Sequence, residues 1–277
     1  MLSYKHGYHA GNQADVLKHI CLIQAYKSLK RHHKSISYID THAGSGDYNF
    51  KSDYMSKNKE YENGITKLES YKYENQSIKF YLKVLRNINN SKKMTFYPGS
   101  PSIISHLSDS SDKLLFYELH NNEVQLLRKH LAKQINSKIY NKDGFEFFLQ
   151  KINPKEKTLV LIDPSYEIKD DFEKVVKTLK MLDEEYENVT AMIWYPVLNI
   201  ENNDLFIENI RKLGSNRITR IELPLKKYNE EIGMKGSGII LFNGSNFLIN
   251  KMKDCVKELF QIFKDENCNI KPKIQRI

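Results

Sequence analysis

The chain switches repeatedly between two hydrophobic periods, and the switching predicts its architecture. Residues 12–33 carry Ala14, Leu17, Ile20, Cys21, Ile23, Ala25 and Leu29 at helical spacing, which predicts a helix with a broad apolar face. Short apolar runs at 35–40, 113–118, 138–143, 158–163 and 190–194 predict strands. Helical periodicity over 121–134, from Phe145, and over 172–186 and 205–213 predicts the helices that join them. Two late strands, 218–223 and 238–242, are close enough to form a hairpin, and a last helix covers 247–263. Strands alternating with helices imply a mostly parallel sheet covered on both faces. The order fits an α/β, Rossmann-like, seven-stranded doubly wound sheet with its last strand antiparallel. Residues 266–277 read as a loose tail.

One stretch breaks the alternation. Residues 47–112 separate the first two strands, far more than one crossover helix needs. Within it, 57–71 and 76–88 carry helical periodicity. We read a small helical insertion at approximately 50–95, inside a single domain over 1–277. Its Lys51, Lys57, Lys59, Lys67, Lys72 and Lys79 could meet phosphates or could form a solvated face.

With 277 residues the chain can bury a large core, near the upper range of roughly 250–300 residues for one domain. Its net charge of +9 favours an anionic partner such as nucleic acid, although a lysine-rich surface bias gives the same sum. No apolar stretch approaches the roughly 20 residues of a membrane span. The first residues have no signal-peptide core. Cys21, Cys255 and Cys268 fit neither a disulfide framework nor a zinc site, so a cytoplasmic location is expected.

The candidate chemistry gathers at strand ends. The run 158–163 ends in Asp163-Pro164-Ser165-Tyr166. The amine of a nucleobase is a poor nucleophile because its lone pair is delocalised into the ring. A carboxylate (Asp163) and a backbone carbonyl (Pro164) can accept both amine hydrogens and turn the lone pair toward a methyl donor. Proline fixes φ and removes a competing donor, and Tyr166 could stack on a flipped base. The plain alternative is a strand ending in an Asp-Pro turn.

Three further strands end in Asp40, Glu118 and Asp143. In doubly wound sheets ligands sit at the carboxyl ends of strands. The turn Asp40-Thr41-His42-Ala43-Gly44-Ser45-Gly46 lets backbone approach a ligand, but the full dinucleotide fingerprint is absent. It suits S-adenosylmethionine, which has no pyrophosphate. Glu118 could accept from ribose hydroxyls, and Asp143-Gly144 could read an adenine edge. Four acids at one edge also suit a sulfonium cation. Tyr97-Pro98-Gly99-Ser100-Pro101 precedes a helix, where Ser100 could contact a ligand carboxylate or simply start the helix. Near the N-terminus, Tyr4 and His6 could gate a pocket or stack on RNA bases. His6, His9 and His19 lack the spacing of a zinc helix, so no metal is expected.

Taken in order, these motifs identify a resemblance. The block from Tyr4 to His19, Asp40-Thr-His-Ala-Gly-x-Gly, Tyr97-Pro-Gly-Ser-Pro, Glu118-Leu-His, Asp143-Gly, Asp163-Pro-x-Tyr, Trp194-Tyr-Pro and Gly236-Ser-Gly resemble the J-type 23S ribosomal RNA adenine-N6 methyltransferases, the RlmJ family. The likeness runs from residue 1 to about 245. It implies a class I S-adenosylmethionine-dependent methyltransferase fold with a helical insertion, and methyl transfer to an adenine of 23S ribosomal RNA with S-adenosylhomocysteine as product. It implies Asp163, Pro164 and Tyr166 as catalytic. Lys18, His19, His42, Ser100, Glu118, Asp143, Gly144 and Asp163 would line the cofactor, and Tyr4 and His6 would meet the RNA. The expected substrate is naked RNA or an early assembly intermediate, and the expected state is a monomer with no membrane partner.

The family usually has a second proline where this chain has Ser165, which would relax the loop. The rival readings are an RNA-binding assembly factor that has lost activity, a DNA adenine-N6 methyltransferase, and a protein-glutamine methyltransferase. The DNA enzyme would need a target-recognition domain for which the chain has no room. The glutamine enzymes prefer Asn where Asp163 stands.

Overall fold

The computed structural model describes residues 6–91, 93–168, 170–198, 200–226 and 233–277. Its strands are β1 (Ser37–Asp40), β2 (Asp47–Asn49), β3 (Phe96–Pro98), β4 (Lys113–Tyr117), β5 (Ser137–Tyr140), β6 (Thr158–Ile162), β7 (Val189–Val197), β8 (Ile218–Pro224), β9 (Gly236–Phe242) and β10 (Lys273–Arg276). The helices are α1 (Gln13–Lys30), α2 (Asp53–Asn58), α3 (Lys67–Ser70), α4 (Gln76–Asn89), α5 (Ser100–Leu107), α6 (Asn121–His130), α7 (Gly144–Phe147), α8 (Asp170–Glu185), α9 (Ile200–Arg211) and α10 (Asn246–Phe263).

The main sheet has the order β10-β8-β9-β7-β6-β1-β4-β5. From β5 to β7 every pair is parallel, while β9 runs antiparallel to both β7 and β8. All five positions of β6 are buried. Leu159 and Leu161 pack into the core around α1, and Val160 and Ile162 into the core beneath α8 and α9. A strand covered on both faces must be apolar at successive positions, which is why this run shows no alternation. Helix α1 is buried on nearly every side because it lies between the sheet and α4, α5 and α10; a helix enclosed in this way loses its polar face. Asn12 caps it, accepting from the amides of Ala14 and Asp15.

Two expectations change. Among the described residues the sheet has eight strands, not seven. The supposed loose tail supplies the eighth, β10, antiparallel to β8. Its Lys-Ile-Gln-Arg alternation packs Ile274 on the core, places Lys273 Nζ 3.5 Å from Glu222, and covers an otherwise open strand edge. The expected helix over 57–71 is also interrupted. Lys59 takes a left-handed conformation, φ 50°, and Glu62–Thr66 winds as a π-helix.

The cause of the π turn is contact with the N-terminal segment. The Ile65 amide donates to the Gly11 carbonyl at 2.8 Å, and Gly64 lies so close that a Cβ there would stand 2.0 Å from that oxygen. Between α4 and α5, β3 pairs antiparallel with β2, and the Gly99 amide donates to the Gly46 carbonyl at 2.7 Å. This ribbon carries the start of α5 to the loop after β1.

Gly64→Ala is expected to destabilise the protein by about 2 kcal/mol or more, because backbone must move to admit one methyl group. Urea unfolding of the variant checks it, and an unchanged midpoint would contradict the close approach.

Candidate active site

The ends of β1, β4 and β6 and the loop after β5 open onto one cavity of about 660 Å³, within the range of small-molecule sites. Lys18, His19, His42, Ser100, Glu118, Asp143, Gly144 and Asp163 all line it, together with His6, Pro164 and Ser165. These residues come from seven separate stretches of chain. Tyr4 lies outside the described residues.

Asp163 follows β6, with its side chain 13% exposed. Its Oδ2 accepts from Lys18 Nζ at 2.5 Å, and the same ammonium lies 2.7 Å from Asp15 Oδ1. Asp15, one turn earlier on α1, accepts on Oδ2 from the Gly11 amide at 2.9 Å and pairs there with His6 Nε2 at 3.0 Å. Burial works against charge on Lys18, but Asp15 and Asp163 outweigh it and hold the ammonium above its usual pKa. Burial likewise opposes ionisation of Asp15, yet His6 and Lys18 bring its carboxyl well below the usual value.

Behind the glycine turn, Asp40 is fully buried. Its Oδ2 accepts from Ser100 at 2.6 Å and Tyr38 at 3.0 Å. Burial, reinforced by Asp163 against the Ser100 bond, pushes its pKa up to about 6. Ser100 thus binds Asp40 while still reaching the cavity. Glu118 accepts the Gly44 amide on one oxygen at 2.8 Å and the His120 amide on the other at 2.7 Å; burial raises its pKa. Asp143 caps α7 through the Phe145 amide. Gly144 is pressed against β1's exit, where a Cβ would meet the Thr41 carbonyl at 2.2 Å.

Of the histidines on the wall, His19 and His42 are held neutral at ordinary pH. Burial lowers His19 to about 3 and His42 to about 4. His19 Nδ1 pairs with the Tyr97 hydroxyl at 2.7 Å, and His42 Nδ1 with Thr41 Oγ1 at 2.8 Å. Fixed neutral imidazoles offer hydrogen bonds without adding positive charge.

Tyr166 departs from expectation, because it is absent from the cavity wall. Its backbone is left-handed, φ 55°, its amide donates to Asp171 Oδ2 at 3.2 Å, and its hydroxyl donates to the Trp194 carbonyl at 2.6 Å. Its ring packs on Phe172 and Trp194. In this arrangement the ring anchors the loop. Trp194 donates to Ser237 Oγ and also stays off the wall.

Sequence reasoning missed Tyr48, Phe145, Asp171 and Lys174 on the wall, since nothing in their spacing marks them. The Asp15–Lys18 contact was within reach, because i and i+3 share a helix face. Among the described residues, no group of three His, Cys, Asp or Glu could hold a metal ion, and no helix is long and apolar enough to cross a membrane.

Known proteins resemble the chain over nearly its full length. A family model described as ribosomal RNA large subunit methyltransferase D, RlmJ, matches residues 33–271. Ribosomal RNA large subunit methyltransferase J of Haemophilus influenzae is 36% identical over 261 residues, covering 94% of this chain and 93% of that protein. Its Escherichia coli namesake is 34% identical over 244 residues, covering 88% and 87%. The crystal structure of protein LPL1258 from Legionella pneumophila superposes with a TM-score of 0.84 at 30% identity, covering 97% and 98%.

Asp40 gives a pH test. Its carboxyl ionises near 3.8 ordinarily and about 6 in the fold. The folded state therefore binds the extra proton in that window, and stability falls as pH rises through it. Asp40→Asn removes this slope. Relative to the variant, wild type is expected to lose roughly 2 kcal/mol between pH 4 and 7, read by urea unfolding across pH. Parallel curves would contradict the assignment.

Proposed function

The chain belongs to the ribosomal RNA large subunit methyltransferase family RlmJ, and we propose that it moves a methyl group from S-adenosylmethionine to the N6 amine of an adenine in 23S ribosomal RNA. The observation that carries this reading is the Asp163-Pro164 pair on the wall of a cavity whose other strand ends supply Glu118 and Asp143. The sheet is that of a class I methyltransferase, so a cofactor is expected at these carboxyl ends.

The residues present fit the cofactor. Glu118 uses one lone pair of each oxygen on backbone amides and keeps acceptor capacity for two ribose hydroxyls. Asp143 and Gly144, on the same wall, would meet an adenine edge. His19 and Lys18 offer donors to a carboxylate, while the Ser100 hydroxyl already donates to Asp40. S-adenosylmethionine would supply an electrophilic methyl group on a sulfonium. Asp163 and the Pro164 carbonyl would each accept one hydrogen of the amine and free its lone pair. Asp163 would then hold the proton that the nitrogen releases. Catalysis of this kind is positioning and electrostatics.

An adenine must leave its stack to reach such a cavity. This favours naked RNA or an early assembly intermediate as substrate. The net charge of +9 and the exposed Lys51, Lys57, Lys59, Lys67, Lys72 and Lys79 support an RNA partner.

Labelled S-adenosylmethionine, incubated with unmodified 23S ribosomal RNA and in parallel with duplex DNA, should yield N6-methyladenosine from the RNA alone. Asp163→Ala is expected to lower turnover by roughly 10²–10³-fold and to leave binding of S-adenosylhomocysteine within a few fold. Undiminished turnover in that variant would overturn the assignment.

A further inference from the structure

Asp15 is 2% exposed and is absent from the cavity wall. Among the described residues it reaches the site through His6 and Lys18. A buried carboxylate is costly unless paired, and this one is held by three donors, from Gly11, His6 and Lys18. The Lys18 ammonium, also buried, is shared with Asp163.

The sharing has an electrostatic consequence. With Asp163 as its sole partner, Lys18 would cancel the charge of the acceptor carboxylate. With Asp15 on its other side, two carboxylates and one ammonium sum to −1. Asp15 therefore makes the charge facing the cavity one unit more negative than Lys18 and Asp163 alone would give, whatever charge His6 carries. Asp163 Oδ2 is engaged by Lys18, and Oδ1 can accept from an amine.

We propose that Asp15 is a positioning residue: it divides the Lys18 ammonium between itself and Asp163, so that the acceptor carboxylate stays negative beside a sulfonium and an incoming amine. The proposal rests on reading the cavity as the cofactor site. It assigns Asp15 a task in the reaction although Asp15 touches neither cofactor nor substrate.

S-adenosylmethionine and S-adenosylhomocysteine provide a test that needs no turnover. They differ in the methyl group and in the positive charge on sulfur, so the ratio of their dissociation constants reads the local charge. Asp15→Asn brings the three-residue sum to zero. It is expected to weaken S-adenosylmethionine relative to S-adenosylhomocysteine by about tenfold. Adding Lys18→Met restores the sum to −1, and the double variant is expected to return to within about threefold of the wild-type ratio. A purely structural role would weaken both ligands together and make the double variant worse than the single.

Calorimetric titration of the full-length protein supplies the constants. If Asp15→Asn does not fold, Asp15→Ser replaces it with the same expectation, since its hydroxyl can still accept from Gly11. A ratio unmoved by Asp15→Asn, or not restored in the double variant, overturns the proposal alone. Wild type that binds neither ligand overturns the functional reading as well.

Discussion

The Lys18 ammonium lies between two carboxylates, one on its own helix and one at the end of β6. Each of the three charges is largely removed from water, and each would be strongly unfavourable alone. Together they tie α1 to the strand that carries the candidate acceptor. Asp15 extends the tie to Gly11 and His6, so the N-terminal turn and the central strand are fixed by one chain of contacts. The geometry of Asp163 thus depends on residues that are distant in sequence and lie on the opposite side of its counter-ion.

A second constraint brings the rest of the wall to that point. The antiparallel ribbon of β2 and β3 holds Gly99 against Gly46, which delivers Ser100 to Asp40. The helical segment between those strands meets the N-terminal turn at Gly64 and Ile65. It also reaches that turn through Glu60, which pairs with His9 at 2.8 Å and with Asn12 at 3.0 Å. The stretch that interrupts the alternation of strands and helices therefore braces two walls of the cavity from outside.

The parallel sheet was legible because burial on both faces forces continuous apolar runs, as in residues 158–162, and no solvated loop would carry them. The acids at 40, 118, 143 and 163 were legible because strand ends in such sheets face one crevice. Other features depend on contacts that no local pattern encodes. The π turn at Glu62–Thr66 answers to the Gly11 carbonyl. The strand at Lys273–Arg276 forms because β8 offers it an edge. The place of Tyr166 is set by Trp194 and Asp171, and neither partner is visible from the motif Asp163-Pro164-Ser165-Tyr166.

Tyr166 also bears on the serine at 165. A second proline would stiffen the loop chiefly by restricting the unfolded chain, a gain of about 0.4–1 kcal/mol. Here the loop is stiff for another reason. Pro164 is buried and fixes its own φ. One residue past the serine, Tyr166 is held by two hydrogen bonds and two aromatic contacts. A typical hydrogen bond contributes about 0.5–1.5 kcal/mol net, so either bond alone is comparable with what a proline would add. Those anchors also hold Tyr166 in a left-handed conformation that a tyrosine seldom adopts unaided. The loop after Asp163 is pinned on both sides of Ser165, and the candidate acceptor pair Asp163-Pro164 keeps its place without help from that position.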